Sequence, residues 1–256
     1  MKVNLHTHTV RCNHATGAEA EYIERALNAG MESLGFSDHT PYFFPGDHYS
    51  SFRMRPEQLE DYVRVLQKLR RQYTGRITLH IGVEAEYYPE LFPELLPFLQ
   101  DQGVEYMLLG QHFVGNEIGC HYSGRPTGDP DVLRAYCRQV IDGIHTGRFT
   151  YIAHPDLLYF TGDSGFYREQ MKALCREAKT CGIPLEYNLL GVREGRHYPN
   201  PVFWRLAAEL DCPVALGCDA HSPQALNRPE IEKAALDFLN TLGLQIVERP
   251  QLRPIG

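Results

Sequence analysis

No two cysteines in this chain are spaced as CxxC. The seven present, Cys12, Cys120, Cys137, Cys175, Cys181, Cys212 and Cys218, are odd in number and show no repeated spacing of the kind that marks a zinc knuckle or a disulfide framework. That argues against a zinc knuckle or a disulfide framework and suits a reducing compartment. Long apolar runs are missing too: none can span a bilayer, and no basic segment leads into an apolar one at the N-terminus. The expectation is a soluble, cytoplasmic protein without membrane contact. Positive charge is in deficit, with 25 Lys and Arg against 32 Asp and Glu and a formal net charge of −7. A nucleic-acid partner is therefore disfavoured, although a local arginine cluster or a bound metal could still attract an anion.

What is present suits one large core. At 256 residues, 43% hydrophobic and 22% charged, the chain has the size at which α/β barrels run undivided, so residues 1–256 are read as a single domain. Segment 56–73 places Leu59, Tyr62, Val63, Leu66, Leu69 and Tyr73 on one helical stripe, with Pro56 in the first turn. Asp129 and Pro130 start a helix over 131–146 that Gly147 stops. Weaker helical patterns cover 18–29, 90–101, 166–181, 201–210 and 229–241. Between them lie seven strand candidates: KVNLH, ESLGFS, TLHIGVE, YMLLGQ, FTYIAH, PLEYN and PVALGCD. Strands alternating with helices imply a mostly parallel sheet. A βα barrel leads and an open doubly wound sheet follows, because periodicity alone cannot say whether the outermost strands meet.

The strand ends favour the barrel. They carry His6 and His8, Asp38 and His39, Glu84, His112, His154 and Asp156, Glu186, then Asp219 and His221. In a barrel such ends converge on one rim. His6 and His8, two apart on a strand, point to the same side; His14 would have to fold back through the loop VRCNH. Any one of these residues alone could be a satisfied core histidine or a helix cap. Together, they would aim titratable groups at one place without compensation unless a shared cation were there. His80 is read as structural, and His48, His121, His145 and His197 as solvent-exposed. Glu86 and Glu186 are read as possible supports behind the ligands.

The pieces HTH at 6–8 with His14, SDH at 37–39, GVEAEY at 82–87, GQHF at 110–113, AHPD at 153–156 and GCDAH at 217–221 resemble the polymerase and histidinol phosphatase (PHP) superfamily of metal-dependent phosphoesterases. The resemblance spans nearly the whole chain and implies an α/β fold, a distorted (βα)7 barrel. It also implies three divalent metal ions. His6, His8, Glu84 and Asp219 would hold one, Glu84 with His112 and His154 a second, and His14, His39 and His221 the third. Imidazole and carboxylate donors without thiolates suit zinc, manganese or iron. Glu84, Asp219 and His221 would then act catalytically through a metal-bridging hydroxide that attacks phosphorus.

A phosphate also needs fixed donors. Arg193, in NLLGVREG, is the first choice, Arg53 and Arg55 in SSFRMR follow, and Arg125 is weaker. The GVEAEYYPE, LLGQHF and FRMRPEQLEDYV contexts resemble the histidinol-phosphate phosphatases most. The implied reaction is L-histidinol phosphate to L-histidinol and phosphate in histidine biosynthesis. Phe43, Phe44, Asp47 and Tyr49 are candidates for holding such a small phosphorylated substrate. The alternatives are a PHP-type nucleotide phosphatase or exonuclease, a metal-dependent amidohydrolase, and a non-catalytic metal-binding regulatory domain. The common amidohydrolase carboxylated lysine has no counterpart, since Lys2, Lys68, Lys172, Lys179 and Lys233 all lie away from the C-terminal ends of these strands.

Overall fold

Parallel neighbours need crossovers, and in the computed structural model, which describes residues 1–255, every crossover between the seven parallel strands contains a helix. The order along the chain is β1 (Val3–Asn4), α1 (Glu19–Asn28), β2 (Ser33–His39), α2 (Pro56–Gln72), β3 (Thr78–Ala85), α3 (Phe92–Gln102) and β4 (Tyr106–Leu109). A hairpin of β5 (Phe113–Val114) and β6 (His121–Tyr122) precedes α4 (Pro130–His145). The second half continues with β7 (Phe149–Ile152), α5 (Ser164–Thr180), β8 (Leu185–Asn188), α6 (Leu189–Glu194), α7 (Pro201–Glu209), β9 (Val214–Gly217) and α8 (Pro229–Thr241). The sheet order is β1-β2-β3-β4-β7-β8-β9.

The outermost strands meet. Thr7 bridges Ala220 in parallel: the His8 amide donates to Ala220 O at 3.0 Å, and the Ala220 amide donates to His6 O at 3.2 Å. The result is a nearly closed (βα)7 barrel, and the open sheet is set aside. Closure is confined to the upper rim, just where the expected ligands leave their strands.

Helix positions follow their apolar stripes. In α2, Leu59, Tyr62, Val63, Leu66 and Leu69 are buried; in α4, Leu133, Tyr136, Cys137, Val140 and Ile144 are buried, and the Asp129 carboxylate caps the start by accepting from the Asp131 amide at 2.9 Å. The strands divide their side chains by alternation. In β4, Met107 and Leu109 join the large core beneath the helices, whereas Tyr106 and Leu108 join a small cluster with Val3, Leu5, Tyr151, Ala153 and Ala215. That cluster plugs the bore. The Tyr106 hydroxyl spans it, donating to Leu5 O at 2.7 Å with Phe36 O 3.2 Å away.

Four expected strands, KVNLH, YMLLGQ, FTYIAH and PVALGCD, end earlier than their patterns suggest, and the last two do so with strained backbone. The chain leaves β7 at Ile152 and β9 at Gly217, and both His154 (φ 30°) and Asp219 (φ 46°) stand in left-handed backbone. That conformation costs on the order of 1–3 kcal/mol for a residue other than glycine. It turns each side chain out of the ladder onto the rim. The β5–β6 hairpin and α6 go unseen in the sequence, because two-residue strands and a six-residue helix are too short to show periodicity. No described helix is long and apolar enough to cross a membrane.

Replacing Tyr106 by Phe keeps the plug but leaves the Leu5 and Phe36 carbonyls without that donor. The expected loss is about 1–3 kcal/mol of stability. It is read as a lower denaturant midpoint at unchanged slope; an unaltered midpoint would show that the bore does not depend on this bond.

Candidate metal centre

β3 places Glu84 at the centre of the rim, in register with His39 of the neighbouring β2. Around its carboxylate, His154 Nε2 lies 2.7 Å from Oε1 and His112 Nε2 3.6 Å from it. His39 Nδ1 at 3.2 Å, His6 Nε2 at 3.3 Å and His8 Nε2 at 3.5 Å stand around Oε2. Asp219 Oδ1 closes the group, 3.1 Å from His8 Nε2 and 3.6 Å from His6 Nε2. The donor atoms of His6, His8 and Asp219, of His6, Glu84 and His154, and of His14, His39 and His221 each lie within 4.8 Å of one another. All nine residues expected as ligands therefore gather at one rim.

His14 reaches the rim from the loop after β1. Asn13 in left-handed backbone (φ 66°) reverses the chain, and His14 Nδ1 bonds to Cys12 O at 2.7 Å. Its ring stacks on His221 with centroids 4.5 Å apart and lies 5.5 Å from His39.

The cluster fits cations on its own physical terms. His6 Nε2, His8 Nε2, His39 Nδ1, His221 Nε2, both oxygens of Glu84 and Asp219 Oδ1 are buried without a hydrogen-bond partner. Buried polar atoms left in this state are costly, and so many together point to a group that would satisfy them at once. Charge balance agrees. Burial alone would depress the imidazole pKa values, but Glu186, Asp219 and Glu84 raise His6 well above the usual histidine range. Against the same burial, the adjacent Asp219 and Asp38 carboxylates raise His8 to about 9. Burial and the neighbouring charge on His8 push His39 and His221 well below that range. Burial would raise the carboxyl groups, yet the surrounding imidazoles hold Glu84 and Asp219 well below the ordinary carboxylate range.

Behind the donors stand further carboxylates. Glu186 Oε1 lies 2.7 Å from His6 Nδ1, Glu86 Oε1 3.0 Å from His112 Nδ1, and Asp38 Oδ1 3.4 Å from His8 Nδ1. Two glycines make this approach possible. A Cβ on Gly217 would lie 1.7 Å from Glu186 Oε1, and one on Gly110 would lie 2.0 Å from Glu84 Oε1. Asp156 takes no part in the donor group. Its Oδ2 accepts from the Asn200 amide and from Trp204 Nε1, and burial raises its carboxyl to about 6.

The rim opens into a cavity of about 720 Å³. Its walls include Ser51, Phe52, Phe113, Leu157, Leu190, Glu194, Arg196 and Tyr198. With the geometry in place, the comparisons are informative. The family model of the PHP domain matches residues 4–188. A probable histidinol-phosphatase of Deinococcus radiodurans is 32% identical over 232 residues, 85% of each chain. A histidinol-phosphatase of Bacillus subtilis is 24% identical over 248 residues, 84% of this chain and 92% of that one. The chain belongs to the PHP family. It is a metal-dependent phosphatase, akin to the histidinol-phosphatases in that family. The solved histidinol phosphate phosphatase of Lactococcus lactis, complexed with zinc, L-histidinol and phosphate, shares the fold at a TM-score of 0.72. The identity there is 18%, over 99% of this chain and 97% of that one.

Around this PHP centre the arginine expectations need correction. Arg193 lies outside the cavity, beside Leu189, Cys218 and Arg228, because its place on α6 turns it away from the rim that its helix neighbours Leu190 and Glu194 line. Arg53 is buried and bonded to Glu86, Glu117 and Thr40 O, so it has no donor left for a phosphate. Arg55 stacks on exposed Tyr49, and Arg125 is exposed. The arginine on the cavity wall is Arg196, which sequence reasoning missed. Gly195 ends α6 in left-handed backbone, and the reversal brings Arg196 to the rim, where its Nη1 donates to the Tyr198 hydroxyl at 2.8 Å. A glycine two residues after Arg193 was the available signal. Phe43, Phe44, Asp47 and Tyr49 do not line the cavity; Ser51 and Phe52 of the same loop do. Among the remaining histidines, His48 and His145 are exposed as expected. His121 and His197 are half-buried, and His197 bonds to Leu157 O and stacks on Tyr159.

Glu186→Gln tests the carboxylates behind the donors. Losing the charge that orients His6 is expected to weaken metal binding by about 10–100-fold in a properly folded protein. Competitive chelator titration measures this, and wild-type affinity would sink the assignment.

Proposed function

We propose that this phosphatase hydrolyses a small phosphate monoester, L-histidinol phosphate in the first instance, releasing the alcohol and phosphate. The observation that carries this reading is one buried carboxylate, Glu84, shared among five histidines at the floor of a cavity whose wall presents a guanidinium. The names carried by the Deinococcus and Bacillus relatives support the substrate. The residues fit three divalent ions, zinc, manganese or iron. His6, His8, Glu84 and Asp219 would hold one, Glu84, His112 and His154 a second, and His14, His39 and His221 the third. Bound there, such ions supply Lewis acidity toward phosphoryl oxygens and toward water.

The chain's own side chains account for the rest. Glu84, Asp219 and His221 define the floor against which the phosphoryl group is attacked. Arg196, whose Nε and Nη2 pair with Glu194 at 2.9 and 2.6 Å while Nη1 donates to Tyr198, keeps its remaining Nη protons for the phosphate oxygens. Tyr198, which accepts from Arg196, keeps its own hydroxyl proton for an acceptor in the cavity. Phe52 and Phe113, with centroids 6.0 Å apart, form an apolar wall suited to a flat ring on the leaving alcohol. Seven unpaired thiols, five of them buried, suit the reducing cytoplasm.

Phosphate release should be assayed from histidinol phosphate beside nucleotides and simple phosphate esters, after reconstitution with zinc, manganese or iron. Histidinol phosphate is expected to give the highest kcat/KM. Preference for a nucleotide would overturn the substrate, and no turnover with any ester despite confirmed metal would overturn the reaction.

Two substitutions separate the roles. Glu84→Gln is expected to lower metal content and turnover together. Arg196→Ala should keep its metals while KM rises roughly 10–100-fold, the worth of a charged hydrogen bond, with Arg193→Ala near wild type. Elemental analysis with steady-state kinetics checks both; the reverse pattern between the two arginines would return the phosphate to Arg193.

A further inference from the structure

The loop after β2 carries an arginine, Arg53, whose surroundings neither the metal centre nor the cavity explains. Arg53 is 2% exposed, and each of its five N–H groups has an acceptor. Nε donates to Glu117 Oε2 at 3.0 Å. Nη1 donates to Thr40 O at 3.1 Å and Glu86 Oε2 at 3.1 Å. Nη2 donates to Glu86 Oε1 at 3.0 Å and Glu117 Oε2 at 2.9 Å. The guanidinium carbon sits 4.3 Å from the centre of the Phe52 ring, 5.3 Å from that of Tyr42 and 5.9 Å from that of Phe44. A group so fully committed does not bind a ligand; it holds other groups in place.

Glu86 connects it to the chemistry. Its Oε1 also meets His112 Nδ1 at 3.0 Å, and an ionised carboxylate only accepts. A proton of His112 is therefore on Nδ1, and Nε2 faces Glu84 Oε1 at 3.6 Å. Glu117 connects Arg53 to a second place, the tip of the β5–β6 hairpin, which begins at Phe113 immediately after His112.

We propose that Arg53 is a positioning residue: by fixing Glu86 it sets the tautomer and orientation of His112, and through Glu117 it ties the hairpin to that ligand. Lysine cannot replace it, because three donors on a flexible stem cannot serve two carboxylates and a carbonyl in one plane. The proposal rests on His112 being a metal ligand only for its consequence in metal affinity. The tautomer is a property of the metal-free chain.

The experiment uses full-length protein with 15N-labelled histidine side chains, first metal-free and then titrated with zinc against a chromophoric chelator, with His112→Asn to assign the ring signals. Wild-type His112 is expected to show the Nδ1–H tautomer. Arg53→Lys is expected to show a mixture of tautomers and a zinc dissociation constant about 10–100-fold higher at the weakest site. An unchanged His112 tautomer in folded Arg53→Lys would overturn the proposal, even with zinc affinity reduced, since that is general loosening. Should Arg53→Lys not fold, Glu86→Gln decides by the same two readings, and wild-type values for it would equally overturn the proposal. If zinc leaves the wild-type His112 signals unmoved, the metal assignment fails while the tautomer comparison still tests Arg53.

Discussion

Everything at the rim depends on one buried anion. Glu84 is almost fully shielded from water, and both its oxygens face imidazole nitrogens with no hydrogen bond of their own. A carboxylate in that position is intolerable in an apolar interior unless positive charge surrounds it. The barrel provides the means: seven parallel strands end on one rim, so residues far apart in sequence can be brought to a single point. The bore below is filled with apolar side chains, which leaves the rim as the place where charge can gather.

The supports extend outward in layers of opposite polarity. Imidazoles surround Glu84, carboxylates fix the far nitrogens of His6, His8 and His112, and Arg53 neutralises Glu86, the carboxylate behind His112. Each layer would be unstable without the next. The strain at His154 and Asp219 belongs to the same arrangement, since both leave the ladder to face the centre. Local backbone preference yields there to the convergence of charge.

Much of this was legible in the sequence, for a physical reason. Strand ends marked by His, Glu and Asp give a period-two signal that stops in a polar residue, and seven such ends in order imply one rim. Apart from His14, which returns from the loop after β1, the donors could be read because each is local to a strand end. The arginines could not. Arg53 meets Glu86 33 residues away and Glu117 64 away, contacts that no local pattern encodes. Arg193 and Arg196 differ by less than one helical turn, and only the reversal at Gly195 decides which of them faces the cavity. Short elements were lost for the same reason, the hairpin and α6 being too brief to carry a period.

The closure at Thr7 and Ala220 gives the donor set a further meaning. First and last strands meet through two peptide bonds' worth of ladder at the rim, with His6 and His8 on one side of the seam and Asp219 on the other. A cation shared by those three would act as a rivet between positions more than 200 residues apart, closing one of the longest loops in the chain. Cross-links spanning long loops restrict the unfolded chain most. The ions would then serve as the clasp of the barrel as well as its chemistry, and the same side chains would govern both how the ring holds together and what it does.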